Sequence, residues 1–168
     1  MIYFITGGER SGKSRYAQQL ALELSVKPIY VATSRIWDKD FEKRVKRHKD
    51  ERDERWTSIE EEKQLSRIDL KNKVAVIDCV TLWLTNFYID TKHNVQESLK
   101  QAKEEFEKLI KVDCTLIIIS NEIGMGVHAE TEIGRKFVEL QGWMNQHIAA
   151  KANKVVLMVS GIPVTIKG

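Results

Sequence analysis

The segment TGGERSGKSR, residues 6–15, limits what this chain can fold into more than any other stretch. Gly7 is followed by four residues and then by Gly12, Lys13 and Ser14, the spacing G-x-x-x-x-G-K-[ST] of a phosphate-cradling loop. Before it stands a short apolar run, MIYFI. After it come Ala17, Leu20, Ala21 and Leu24 at helical spacing. A strand therefore feeds the loop and a helix leaves it. Gly7 and Gly12 let the backbone approach a phosphate closely, and amides at the helix N-terminus point at the anion. Lys13 is placed to reach the β and γ phosphates, and Ser14 to hold magnesium. A chance match on a glycine-rich turn is the competing reading, and the strand–loop–helix context weighs against it. The loop alone does not choose among a kinase, a motor, a switch and a nucleotidyl transferase.

The rest of the chain alternates apolar runs with helical patterns. PIYVATS, KVAVIDC, CTLIIIS and VVLMVS read as further strands, rich in β-branched residues and bounded by polar turns. Their runs are continuous rather than alternating, which predicts strands covered on both faces, as in a parallel sheet. Residues 96–111 and 131–150 fit amphipathic helices between strands. The tail PVTIK reads as one more strand, and Pro163 predicts an edge position with antiparallel pairing. No repeat, linker or low-complexity stretch interrupts the 168 residues, so the expectation is a single α/β domain over residues 1–168.

Composition narrows the partners. Hydrophobic residues at 42% and charged residues at 30% fit a soluble globular chain. A net charge of +3 is too small to argue for a nucleic-acid partner. Cys79 and Cys114 lie in or beside apolar runs and read as buried free thiols, with no C-x-x-C pair to suggest zinc. No apolar stretch approaches the roughly 18 residues of a membrane span. The first strand begins at Met1, leaving no room for a cleaved leader, so a cytoplasmic location is expected.

Other segments carry chemistry of their own. VAVID is an apolar strand ending in Asp78, where phosphate-loop proteins often place a magnesium-linked carboxylate; a strand-end cap is the plainer reading. Residues 38–55 hold eight basic and seven acidic side chains, as a solvated helix laced by i,i+4 ion pairs would. Within them Trp37, Phe41, Val45 and His48 recur at intervals of four, four and three, so they share one helical face. His48 is thereby either a hydrogen-bonded core histidine or a nucleophile toward a nucleotide phosphate. In the second case Lys46, Arg47, Lys49 and Arg52 would stabilise the developing charge. SNEIGMG follows the fourth strand on the expected ligand edge, making Asn121 and Glu122 candidate substrate or water contacts, against a purely structural turn. SGIPV ends the fifth strand and reads more readily as structural. His93, His128 and His147 lack metal-ligand spacing, and the four tryptophans read as core or interface residues.

Taken in order, ITGGERSGKSRYAQ, YVATS, RVKRHKDERDERW, IDCVTLWLTN, SNEIGMG and VSGIPVTIK resemble the bifunctional adenosylcobinamide kinase / adenosylcobinamide-phosphate guanylyltransferase family of cobalamin assembly. The resemblance runs from Ile2 to Lys167. It implies a P-loop NTPase with a RecA-like sheet and two reactions. ATP or GTP first phosphorylates adenosylcobinamide. GMP is then transferred from GTP to the new phosphate through a guanylylated histidine, matching His48 here, to give adenosylcobinamide-GDP and pyrophosphate. The resemblance also implies nucleotide contacts at Gly7, Gly8, Glu9, Arg10, Ser11, Gly12, Lys13 and Ser14, at Thr33 and Ser34, at Lys49, Asp50, Glu51 and Arg52, and at Glu60 and Asp78. A homo-oligomer is implied as well. Two other readings stay open: a single-activity kinase in which His48 is structural, and a RecA-like ATPase or switch. The last needs DNA-binding loops or extra domains for which 168 residues leave little room.

Overall fold

The computed structural model describes residues 1–35 and 53–168. In chain order the elements are β1 Ile2–Gly7, α1 Lys13–Leu24, β2 Ile29–Ala32, β3 Thr57–Glu60, β4 Val74–Asp78, α2 Val80–Asp90, α3 Val95–Leu109, β5 Thr115–Ile119, α4 Glu132–Lys151, β6 Lys154–Val159 and β7 Ile162–Lys167. Short 3₁₀ turns at Leu65–Arg67 and Ile123–Met125 join them. Among the described residues the strands form one sheet in the order β3-β2-β4-β5-β1-β6-β7. Every pairing is parallel except β6 with β7. The mostly parallel sheet and the antiparallel C-terminal edge are as the apolar runs and Pro163 predicted.

Continuous apolar strands are required because both faces are covered. In β4, Ala75 and Ile77 pack into the cluster under α2, α3 and α4, while Val76 turns to the α1 side. In β5, Leu116 and Ile118 share the first cluster and Ile117 and Ile119 the second. Each such Ile or Leu contributes roughly 1.5–3 kcal/mol by leaving water. Ala17 and Ala21 are the fully buried residues of α1, and their small side chains let that helix lie close to the sheet. The helix at Val80–Asp90 was not read from the sequence, because it is apolar on most sides. Val80, Trp83, Leu84, Phe87 and Tyr88 are all buried, so no polar stripe marks its period. The strand at Thr57–Glu60 was missed for the opposite reason: it is short, polar and mostly exposed at the sheet edge.

The topology decides where a ligand can sit. From β1 the chain crosses over α1, on one face, toward β2. From β5 it crosses over α4, on the other face, to β6 on the far side of β1. The adjacent strands β5 and β1 thus send their connections opposite ways, and a crevice opens beyond their C-terminal ends.

Candidate active site

Residues 7–14 run from the end of β1 into α1 at that crevice. Gly12 takes φ 95, the left-handed region, and a side chain there would start 3.3 Å from Gly161 Cα. Glycine is needed at this position because the β6–β7 turn closes against the loop. Gly161 N donates to Ser11 O at 3.0 Å, so SGIPV is a structural turn that braces the loop. Lys13 is buried, and its ammonium donates to Gly8 O and, at 3.4 Å, to Ser11 Oγ. Burial lowers its pKa, partly opposed by Glu9, Cys79 and Asp78. A polyphosphate entering the loop would supply the counter-charge that burial denies this ammonium.

Ser14, on the first turn of α1, donates to Asp78 Oδ2 at 3.2 Å. The same carboxylate oxygen accepts from the Tyr30 hydroxyl. Tyr30 is in turn met edge-on by Trp56, with ring centroids 6.0 Å apart. Asp78 is therefore fixed from β2 and from α1. Tyr30, which the sequence reading did not single out, is 3% exposed, and its register beside β4 brings the hydroxyl to Asp78. Next in sequence, burial pushes the Cys79 thiol up to about 12, with the Asp78 charge adding, so it stays protonated and is no rival nucleophile. Cys79 and Cys114 are free and buried, as expected.

Thr33 is fully buried. Its hydroxyl accepts from Cys79 N at 2.9 Å and donates to Cys79 O at 2.8 Å. Its N–H donates to Asp78 O, and its carbonyl accepts from Asn86 Nδ2 at 2.8 Å. These bonds make Thr33 a strut that fixes the ends of β2 and β4 relative to each other. Ser34 follows it at the same edge, partly exposed, and Glu60 ends β3 exposed to solvent. His48 and Lys49, Asp50, Glu51 and Arg52 lie outside the described residues, as do Trp37, Phe41 and Val45. Just before that segment, Arg35 is held by Glu62 at 2.6 Å and by Asp90 at 3.0 Å, and Lys63 reaches Asp90 at 2.9 Å.

On the other side of the loop, Asn121 and Glu122 follow β5. Asn121 Nδ2 donates to Thr81 Oγ1 at 3.0 Å. Glu122 Oε1 accepts from Thr6 Oγ1 at 2.6 Å and from Asn145 Nδ2 at 3.2 Å, and its N–H donates to Gly7 O at 3.1 Å. Asn145 also donates to Asn121 O, and with Gln141 and Ser120 it forms a buried polar cluster. The sequence reading missed these α4 residues. Their signal was present: two amides four apart, Gln141 and Asn145, on the face that also carries Leu140, Met144 and Ile148. Loop, Asp78, Ser34, Glu60, Asn121 and Glu122 thus share the C-terminal edge of the parallel strands. Among the described residues no three His, Cys, Asp or Glu side chains converge as a metal site, and no helix is long and apolar enough to cross a membrane.

Comparison with known proteins agrees with this geometry. The chain matches the family described as cobinamide kinase / cobinamide phosphate guanyltransferase over residues 3–166. It is 35% identical over 182 residues to the bifunctional adenosylcobalamin biosynthesis protein CobU of Escherichia coli (strain K12), covering 99% of this chain and 100% of that one. It is 34% identical over 168 residues to the bifunctional adenosylcobalamin biosynthesis protein CobP of Pseudomonas aeruginosa, covering 98% of this chain and 96% of that one. Among solved structures, an ATPase from the type III secretion system of pathogenic bacteria superposes with a TM-score of 0.55 at 11% identity, over 98% of this chain and 56% of that one, a likeness of fold alone.

Proposed function

The chain belongs to the cobinamide kinase / cobinamide phosphate guanyltransferase family, a family of transferases in cobalamin biosynthesis, and from that premise we propose how its residues divide the two reactions. The observation that carries the reading is the meeting of Lys13 and Ser14, from the loop, with Asp78, from the end of β4, at the crevice. A triphosphate laid in residues 7–14 would meet the Lys13 ammonium and the amides at the start of α1. ATP or GTP serves the kinase step, in which the hydroxyl of adenosylcobinamide takes the γ phosphoryl group. Ser34 and Glu60 at the same edge, with Lys49, Asp50, Glu51 and Arg52, complete the nucleotide contacts, and Thr33 holds Ser34 in place.

Ser14 Oγ and Asp78 Oδ2, 3.2 Å apart, are two oxygen donors of the kind magnesium takes, and they would hold the ion beside the phosphates. When bound there, the ion would neutralise charge on the β and γ phosphates. In the second reaction His48 attacks the α phosphorus of GTP. The bond from that phosphorus to its bridging oxygen breaks, pyrophosphate leaves with the electron pair, and GMP stays on the imidazole as a phosphoramidate. The phosphate of adenosylcobinamide phosphate then displaces His48 and forms adenosylcobinamide-GDP. We further propose a cytoplasmic homo-oligomer. The edge strand β7 supports the oligomer by presenting Ile162, Val164 and Ile166 in alternation to solvent.

Incubation with GTP labelled at the α phosphate tests the covalent step. Acid-labile, base-stable label on the denatured protein is expected, and it should vanish with guanylyl transfer in His48→Ala while kinase activity persists in part. Equal labelling of the alanine variant would move the nucleophile elsewhere. A wild-type protein that never takes label would leave a kinase with a structural His48.

A further inference from the structure

The two reactions have chemically different acceptors, an alcohol and a phosphate, and of these only the alcohol must lose a proton as it attacks. A phosphate monoester has a second pKa of about 6 and is already anionic near neutral pH. A base is therefore needed in the kinase step alone.

Resting on the family reading above, we propose that Glu122 is that base, accepting the proton of the substrate hydroxyl as its oxygen attacks the γ phosphorus. The carboxylate sits at the crevice between β5 and β1, just past the end of the strand next to the one that feeds the phosphate loop. Its N–H is bonded to Gly7 O, so it cannot drift from the loop. Its Oε1 is pinned by Thr6 Oγ1 and Asn145 Nδ2. Among the described residues Oε2 has no hydrogen-bond partner, and the side chain is partly exposed. One oxygen is thus anchored and the other is left to accept a proton, which is the division of labour a general base needs. The other carboxylates at this edge are placed for different work. Asp78 is tied to Ser14, its partner in the magnesium site proposed above, at the end of β4, one strand farther from β1, and Glu60 stands on the outermost strand, with β2, β4 and β5 between it and β1.

The step balances without any further reagent. The hydroxyl oxygen forms a bond to the γ phosphorus, the bond from that phosphorus to the β,γ-bridging oxygen breaks, and the nucleoside diphosphate leaves with the electron pair. The hydroxyl proton passes to Glu122 Oε2 and is later released to water. Asn145 is a positioning residue: it holds Oε1, and its own Oδ1 is fixed by Ser120 and Gln141, so the α4 cluster sets where the carboxylate points.

The test measures both half-reactions on one preparation: phosphorylation of adenosylcobinamide, and guanylyl transfer to adenosylcobinamide phosphate supplied ready-made. Glu122→Gln keeps an acceptor oxygen for Thr6 and Asn145 but cannot take a proton. Its kinase kcat should fall on the order of 100-fold or more. Its transfer rate should stay within about threefold of wild type, with GTP affinity retained. Asn145→Ala, which leaves the carboxylate but frees it, should show the same split, with the kinase rate lowered roughly 10-fold and the transfer rate little changed. That variant decides the matter should Glu122→Gln lose its fold. Equal loss of both activities, or loss of neither, would make Glu122 a structural brace and overturn the proposal. A wild-type protein without either activity would strike the family reading, and this one with it.

Discussion

Ser14 and Asp78 are 64 positions apart in the chain, yet the Ser14 hydroxyl donates to Asp78 Oδ2 at 3.2 Å. The contact joins the first turn of the loop helix to the end of β4, and Tyr30 holds the same oxygen from β2. Asp78→Asn should leave the fold intact and make activity far less responsive to magnesium. Tyr30→Phe removes one hydrogen bond, worth ~1 kcal/mol. It should raise the magnesium concentration for half-maximal rate by roughly fivefold. Magnesium titrations of both activities check this; a wild-type response in Asp78→Asn would reduce the residue to a strand cap.

Lys13 is a functional group maintained against its environment. Its pKa is lowered by burial, so charging it costs the folded state. The sign follows from linkage: the cost is fully present below the folded pKa and fades as pH rises through it toward 10.5. Lys13→Met should therefore raise thermal stability at neutral pH while losing activity. The lost phosphate contacts, roughly 1.5–3 kcal/mol, correspond to about 10- to 100-fold in kcat/KM for both reactions. A gain of ~1 kcal/mol would read as roughly 2–4 °C in Tm for a chain of this length. A lower Tm would show that the ammonium's bonds to Gly8 and Ser11 outweigh its burial.

Gly161 is held at φ 85 with open space where a side chain would go. Gly161→Ala therefore meets backbone strain and no clash, costing about 1–2 kcal/mol. Thermal melts should show a fall of roughly 2–8 °C. Gly161→Pro both removes the N–H that braces Ser11 O and forces φ to about −65°, so it should lower Tm further and weaken GTP binding where the alanine variant does not. Equal GTP affinity in the two variants would show that the brace is idle.

Asp90 tests the ion cluster beside residue 35. Hydrogen bonds from Arg35 and then Lys63 hold its carboxyl at about 2, below the ordinary 3.8. A depressed carboxyl contributes stability above its unfolded value and loses it as pH falls through the folded one. At 36% exposure, solvent screening limits the contribution to about 1 kcal/mol or less. Urea melts of wild type and Asp90→Asn should differ at pH 6, and the gap should narrow as pH falls from about 4 toward 2. A gap independent of pH would assign the effect to packing.

Much was legible in the chain before any coordinates. The loop spacing at residues 7–14 dictated strand, turn and helix, because a backbone that cradles phosphate needs glycine at set positions and a helix N-terminus behind it. The unbroken apolar runs dictated parallel strands covered on both faces, because polar residues on either face would be buried. The order of motifs from Ile2 to Lys167 was specific enough to indicate the family. Tertiary structure decided the rest. Within PIYVATS nothing marks Tyr30, and only the pairing of β2 with β4 sets its hydroxyl against Asp78. Gln141 and Asn145 share the apolar face of α4 in the sequence, but only the docking of that helix sets them beside Ser120 and Glu122. Hydrogen-bond partners come from strand order and helix docking, which local composition and periodicity do not encode. Sequence thus determined which groups could do the chemistry, and packing determined which were brought together and which of their atoms were left free.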